Sequence, residues 1–467
     1  MVWVTTKLFG TSGIRGPIAE KSDSDLAMNL GRALGTCLQG QGSVCVGTDA
    51  RTSRVMLRNA LVSGLVSTGV SVRDLGIAPM PAVAFSSSLE DVSASVVVTA
   101  SHNPAGDNGF KFFVSGREFV RNEEVTLEKS VFEKRFLVSS WNGIGQVSRI
   151  DIMLSFLSAV KQFLLSRGGI SSGTRVLVDV ANGAATDYTP RLLRELGFSV
   201  ATMNSHQDGH FPGRPAEPSP RNLDDAMKVA SKGEFALTIC HDGDGDRVAV
   251  IDEQGKFVDQ NRVIAVFARD EVQRNGGGTV LTSIDTSSVI DEIVVKAGGK
   301  VVRKPLGSLQ EYLSGKEGKD VVLASEPWKP IFTHLGNWMD GITGAGRFAQ
   351  IVDELGSGSC LKLMKSIPKY PMLRDFVPCP DKLKSEFLPK VKELLLPQLT
   401  GIEQVLEVDG IRVERQDGSY VLVRVSGTEP KARVYVGAKK SETLKKVSKI
   451  AIEAMRRALE DLGHPVE

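Results

Sequence analysis

The stretch VVVTASHNPAGDNGFKFF, Val96 to Phe113, decides how the N-terminal third of this chain is read. Val96, Val97 and Val98 are continuous and β-branched, the composition of a buried strand. Phe110 to Val114 alternates around Lys111 and reads as a second strand. Between the two, Pro104, Gly106 and Gly109 turn the chain. Ser101 and His102 are therefore displayed at the tip of a strand, on a loop held at both ends. Such a loop is either a solvated polar turn or a nucleophile presented to a cleft, and the rest of the sequence has to decide.

Outward from it, a related organisation recurs. SDSDLAMNLGRALGTCLQG reads as a helix: Ser22, Asp23 or Ser24 caps it, and Leu26, Leu30, Ala33, Leu34 and Leu38 fall at helical spacing. SVCVGTDARTS follows, an apolar run ending at Asp49 and small polar residues. TRVLVDVANGAAT, ending near Asp179 and Asn182, and GTVLTSIDTSS, ending at Asp285, have the same character. Strands alternating with helices predict sheets sandwiched by helices, here as three related α/β units. IPKYPMLRDFVPCP reads as a proline-rich linker. Beyond it come a helix (DKLKSEFLPKVKELLL), strand runs (VLEVDGIRVERQDGSYVLVRVSG, ARVYVGAK) and a closing amphipathic helix (SETLKKVSKIAIEAMRRALEDLG). The expected division is four domains, 1–150, 151–253, 254–367 and 368–467.

Bulk properties narrow the function. A chain of 467 residues is long enough for several cores. Its formal net charge of +2 gives no global attraction to nucleic acid or anionic membranes. No apolar run approaches the roughly 20 residues that span a bilayer, and the start carries no apolar signal region. Five scattered cysteines without a CxxC favour reduced thiols over disulfides or a zinc site. A cytoplasmic enzyme or binding protein is expected.

CHDGDGDRVAVID carries the strongest chemistry. Asp242, Asp244 and Asp246 alternate with glycines, and three carboxylates so close repel one another unless a cation joins them. Oxygen-only ligands suit a hard ion such as Mg²⁺, and the other reading is a solvated acidic turn. A calcium EF-hand fails here, because Arg247 stands where its loop needs glycine and VAVID reads as a strand. Arg247 suits an anionic substrate, or simply balances the aspartates. RVSGTEPKAR places Arg424, Ser426, Gly427, Thr428 and Arg433 in one loop, the donors of a phosphate cradle or an ordinary turn. In KLFGTSGIRG, Gly10, Thr11, Ser12, Gly13 and Arg15 again combine small donors with a guanidinium.

Together these motifs resemble the α-D-phosphohexomutase superfamily, which includes phosphoglucomutase, phosphomannomutase and phosphoglucosamine mutase. FGTSGIRG, TASHNPAGDNGFKFF, DGHFPGRPAEPSPRNL, DGDGDR and RVSGTEPKAR follow one another in the family's order over essentially the whole chain. The SGTEP wording is similar to phosphoglucosamine mutases and archaeal-type members. The resemblance implies three related α/β sandwich domains and a C-terminal α+β domain around a central cleft. It implies interconversion of hexose 6-phosphate and hexose 1-phosphate through a phosphoserine enzyme and a bisphosphorylated sugar. Ser101 would carry the phosphoryl group, and one Mg²⁺ would be held by Asp242, Asp244, Asp246 and phospho-Ser101. His102 and Lys111 would move protons, Arg15 would steady the transferring group, and Arg247 would contact the sugar. Arg424, Ser426, Gly427, Thr428 and Arg433 would hold the other phosphate.

The sequence departs from that pattern in the sugar loop, where relatives read GExSGH and this chain reads ASEPWKP. Glu326 remains as the sugar-hydroxyl partner. Trp328 would pack on a sugar face and Lys329 would meet a phosphate, or both pack locally. Gly307 and Ser308 stand where relatives contact the sugar. A 2-ammonium sugar would tolerate Lys329 poorly, against the lean of SGTEP. The expected substrate is a hexose phosphate, with a hexose bisphosphate primer, no nucleic-acid or membrane partner, and a monomer or small homo-oligomer. The alternatives are a non-catalytic sugar-phosphate-binding relative and a serine-dependent sugar phosphatase.

Overall fold

The computed structural model describes residues 8–356, 359–426 and 429–464. The valine run becomes the strand Ala94–Val98, buried throughout. It pairs antiparallel with Asp107–Val114, setting Val98 opposite Phe110 and Val97 opposite Lys111. Both belong to a seven-stranded sheet whose path runs Ile14–Pro17, Asp107–Val114, Ala94–Val98, Ser43–Thr48, Ser71–Ile77, Val147–Arg149. Strand Ile14–Pro17 lies so close to its neighbour that a Cβ on Gly109 would sit 1.8 Å from the Ile14 carbonyl oxygen. Only glycine permits that approach, and it brings Arg15 alongside the Ser101 loop, opposite Gly109 in register. Helix Ser24–Cys37 is capped by Asp23, whose side chain accepts from the Leu26 N–H. Its apolar stripe, Ala27, Leu30, Ala33 and Leu34, packs in the same core as Val44, Val46, Val96 and Val98.

The three strand runs ending in small polar residues each open a parallel pair. Ser43–Thr48 pairs with Ser71–Ile77, Arg175–Asp179 with Ser199–Met203, and Thr279–Ser283 with Lys300–Lys304. A helix lies between the partners in sequence each time: Arg54–Val66, Thr189–Glu195 and Val289–Lys296. Parallel pairing requires such a crossover. The second sheet continues through Leu237–Cys240 to Ala249–Asp252, which pair antiparallel across the aspartate loop.

The chain divides into two compact units. One comprises residues 1–263 with 310–366; the other comprises 264–309 with 367–467. In the second unit, five antiparallel strands run in the order Met372–Pro378, Lys431–Gly437, Tyr420–Val425, Ile411–Arg415, Ile402–Leu406. Helices Lys384–Leu395 and Ser441–Asp461 cover them, burying Phe387, Val391, Ala451 and Met455 against Val413, Val421 and Val423. The stretch expected to be a linker is in part an edge strand: Met372–Pro378 pairs along its length with Lys431–Gly437. Its prolines mislead because Pro368, Pro371 and Pro380 flank the strand and Pro378 ends it at an edge position that tolerates proline.

The same unit holds a fully buried arginine. Arg412 Nη1 donates to the carbonyls of Ile284 and Thr286, each at 2.7 Å. Its Nε pairs with Glu414 at 2.9 Å, and its guanidinium lies 3.8 Å from the Tyr420 ring centroid. Replacing Arg412 with Met leaves two buried carbonyls without that donor, which costs about 2–4 kcal/mol. Chemical denaturation checks this, and a loss below about 0.5 kcal/mol would contradict the clamp.

Candidate active site

The loop between Ala94–Val98 and Asp107–Val114 presents Ser101 inward, fully buried. Its φ of +52° is unusual for a residue with a Cβ. The hydroxyl donates to Asp242 Oδ2 at 2.6 Å, and His102 Nδ1 lies 3.5 Å from Ser101 Oγ. The loop after Leu237–Cys240 supplies Asp242, Asp244 and Asp246, all buried, each with one carboxylate oxygen within 4.8 Å of the others. The two loops touch through backbone. A Cβ on Gly243 would fall 2.7 Å from the Ser101 carbonyl oxygen, so Gly243→Ala should push the loops apart. We expect kcat to fall about 10²-fold, the scale of an ångström-sized misplacement. Steady-state kinetics of the folded variant check it, and an unchanged kcat would contradict the contact.

Cations answer the carboxylates. Lys111 Nζ lies 2.7 Å from Asp246 Oδ2 and 3.5 Å from Asp244 Oδ2. Lys329 Nζ lies 3.4 Å from the same Asp246 oxygen. Arg247 approaches Asp242 at 3.8 Å, and its Nη2 lies 2.7 Å from His102 Nδ1. Burial and its two acidic neighbours push Asp242 well above the usual carboxylate range, against Arg247 and the Ser101 hydroxyl. Burial alone would raise Asp246 too, yet Lys111, Lys329 and Arg247 hold it well below. Lys111 is the reverse case: burial would lower it, and Asp244 and Asp246 raise it, so it stays an ammonium. Burial and the charges of Arg247, Arg15 and Lys329 bring His102 down to about 2, so its ring is neutral and accepts from Arg247.

This arrangement fits a hard divalent ion. Asp244 Oδ1 and Asp246 Oδ1 are buried without a hydrogen-bond partner, and an all-oxygen donor set is what Mg²⁺ takes. Arg15 Nη2 donates to Ser12 Oγ at 3.2 Å, while its Nε is buried and unpartnered.

The remaining expected residues fall in two places. Glu326 and Lys329 face each other across the tight turn between Val321–Glu326 and Lys329–Ile331, in the same unit as Ser101. Trp328, at φ +68° in that turn, packs against the cluster of Leu223, Ala226 and Ile251, with Arg247 5.5 Å from its ring. Gly307, Ser308, Arg424, Ser426 and Arg433 belong to the other unit. There Gly307 takes φ +81°, and Ser308 Oγ donates to the Pro305 carbonyl at 3.0 Å. Arg424 and Arg433 stand opposite each other on adjacent strands. Arg424 Nη2 pairs with Asp409 at 2.8 Å and Arg433 Nη2 with Glu429 at 2.6 Å. Gly427 and Thr428 lie outside the described residues. Lys384, which the motif reading missed, donates from the helix Lys384–Leu395 to the carbonyls of Ser426 and Glu429. Its signal, one lysine in a basic helix, is indistinguishable from a solvated one.

Residues 6–138 match phosphoglucomutase/phosphomannomutase alpha/beta/alpha domain I, 155–255 match alpha/beta/alpha domain II, and 377–454 match the C-terminal domain. A phosphopentomutase of Thermococcus kodakarensis is 41% identical over 97% of this chain and 99% of its own length. The chain belongs to the phosphoglucomutase/phosphomannomutase family. A probable phosphoglucosamine mutase of Methanopyrus kandleri is 38% identical, covering 98% of this chain and 99% of that protein. Among solved structures, a family protein from Burkholderia thailandensis superposes with a TM-score of 0.87 at 25% identity, over 98% of each chain. The N-acetylphosphoglucosamine mutase of Aspergillus fumigatus, solved with GlcNAc-6P and magnesium, shares the fold at a TM-score of 0.59 and 16% identity, covering 97% of this chain and 96% of that one. The fold is thus the multidomain α/β architecture of the phosphohexomutases, and the chain is an intramolecular phosphotransferase of the isomerase class. Among the described residues no helix is long and apolar enough to cross a membrane.

Proposed function

We propose that this protein is a Mg²⁺-dependent sugar-phosphate mutase that uses Ser101 as its phosphoryl carrier. The observation that carries the reading is the 2.6 Å hydrogen bond from the Ser101 hydroxyl to Asp242, inside a buried carboxylate trio ringed by Lys111, Lys329 and Arg247. The sugar hydroxyl oxygen forms a new bond to phosphorus as the Ser101 Oγ–P bond breaks. The hydroxyl proton ends on Ser101, so a phosphomonoester and an alcohol exchange partners. Return of the sugar's other phosphate to Ser101 closes the cycle. Asp242, Asp244, Asp246 and phospho-Ser101 would hold one Mg²⁺, which would supply neutralisation of phosphoryl charge. Lys111, Arg15 and Arg247 add fixed positive charge, which is most of what phosphoryl transfer asks of a protein. His102, 3.5 Å from the Ser101 hydroxyl, relays the hydroxyl proton once Arg247 turns to the substrate and frees its acceptor nitrogen. Arg424, Ser426, Gly427, Thr428 and Arg433 grip the phosphate that is not transferring, while Glu326, Gly307 and Ser308 receive sugar hydroxyls. The reading includes the four-domain division at 150, 253 and 367, a cytoplasmic setting and a hexose bisphosphate primer.

Lys329 Nζ, buried 3.4 Å from Asp246, leaves no acidic partner free for a second cation and so favours a sugar that carries no charge of its own at C2. The test is kcat/KM for the 1-phosphates of glucose, mannose, glucosamine, N-acetylglucosamine and a pentose, with released phosphate measured alongside. We expect a neutral sugar to lead and the phosphate to be retained. Stoichiometric phosphate release would contradict the mutase reading, and a lead by glucosamine 1-phosphate would contradict the role given to Lys329.

A further inference from the structure

Arg51, in the DARTS segment that the site leaves without a role, is fully buried and engages acceptors with all five of its guanidinium N–H groups. Nε pairs with Asp49 Oδ2 at 3.0 Å. Nη1 donates to the carbonyls of Pro104 and of Asp107, the latter at 2.8 Å. Nη2 donates to the carbonyls of Ser101 at 3.0 Å and Asn103 at 2.7 Å. The Phe211 ring closes over the guanidinium, with its centroid 5.1 Å away. Four backbone carbonyls of one loop therefore converge on a single planar cation. Without it the four carbonyls lose their common donor, and that of Ser101 loses it in a buried position.

The same network reaches residue 101 from its other side. Asp49, also fully buried, accepts from Arg51 and from Thr99 Oγ1, the latter at 2.7 Å. Thr99 Oγ1 in turn accepts from the Ser101 N–H at 2.9 Å and lies 3.2 Å from Asp244 Oδ2. Both backbone groups of Ser101 are thus fixed by one chain of contacts that also touches the acidic trio. Ser101 sits at φ +52°, a conformation that persists only where the surroundings impose it.

We propose that Arg51, oriented by Asp49, is the positioning residue that holds the Ser101 loop in its reactive geometry. It acts through the loop backbone and touches no reacting atom. The consequence is a defect in transfer and not in substrate binding, because the side chains assigned to grip the sugar phosphate are elsewhere. This inference rests on Ser101 being the phosphoryl carrier. Lysine at position 51 keeps the charge but offers three donors from one point, and so cannot serve four carbonyls and a carboxylate.

The test uses the full-length protein with R51K and D49N, measuring thermal melting, kcat, KM, and the rate at which Ser101 becomes phosphorylated by glucose 1,6-bisphosphate. We expect cooperative melting in at least one variant, kcat lower by about 10²-fold, a matching slowing of Ser101 phosphorylation, and KM little changed. A lower melting temperature with undiminished kcat per folded molecule would mean a merely structural clamp and overturn the proposal. Should R51K fail to fold, D49N decides alone by the same criterion. Absence of phosphate on Ser101 in the unaltered protein would overturn the mutase reading and this inference together. Normal phosphorylation there, with undiminished kcat in the folded variants, would overturn this inference alone.

Discussion

Ser101→Ala lowers mutase turnover by on the order of 10⁴-fold or more, with the fold intact. The magnitude follows from what is removed. Among the described residues Ser101 Oγ is the hydroxyl that donates to Asp242 Oδ2, and Thr99 Oγ1 is committed to Asp49 and the Ser101 N–H. Losing a nucleophile that forms the covalent intermediate removes the whole two-step route, as deletions of other covalent nucleophiles do. The structural effect is small by comparison. Alanine keeps the backbone contacts to Thr99 and Arg51, and loses one hydrogen bond to a carboxylate that is electrostatically frustrated to begin with. Steady-state assay with primer checks this, alongside thermal melting. Turnover within tenfold of the unaltered protein, on the scale where tenfold is 1.4 kcal/mol, would remove Ser101 from its role.

The second large effect is expected for Asp244→Asn. Asp244 Oδ1 is buried and unpartnered, and Oδ2 lies 3.5 Å from the Lys111 ammonium. The amide keeps the shape and removes one of three negative charges, so affinity for a divalent ion should fall by at least about 10–100-fold, the cost of disturbing a ligand's support alone. Excess Mg²⁺ then restores part of the activity. The same substitution relieves repulsion on Asp242, whose carboxyl is held up by Asp244 and Asp246 after burial itself. The ion-free variant should therefore be as stable as the unaltered protein or more so, while gaining less from added Mg²⁺. Mg²⁺ titrations read by activity and by melting temperature check both halves, and an unaltered Mg²⁺ midpoint in both would contradict the metal loop.

What was legible in the sequence had local causes. The valine run, the turn residues after it and the alternation around Lys111 are all contained in one hairpin, so local pattern alone puts Ser101 on its loop and Lys111 on its second strand. The aspartate loop declared itself because three like charges in five residues have few reasons to coexist. Arg51 was not legible as a functional residue. Its acceptors are backbone carbonyls some fifty positions away, and no spacing rule encodes a contact with main chain so distant. The DARTS segment showed only that a strand ends near Asp49. Met372–Pro378 differs from its linker reading because the prolines of the stretch sit before the strand and at its end, and leave Met372 to Val377 free to pair with Lys431–Gly437. In the sugar loop, Trp328 packs against Leu223 and Ile251, an apolar destination that the residue's aromatic character alone did not distinguish from a sugar face.

The most direct measurement is peptide mass spectrometry of the full-length protein after brief incubation with glucose 1,6-bisphosphate and Mg²⁺, followed by a single-turnover chase with sugar monophosphate. The account predicts one phosphate on the peptide bearing Ser101, lost to the sugar at a rate no slower than kcat. Phosphate on a different residue, or turnover that proceeds while Ser101 stays unmodified, would contradict it.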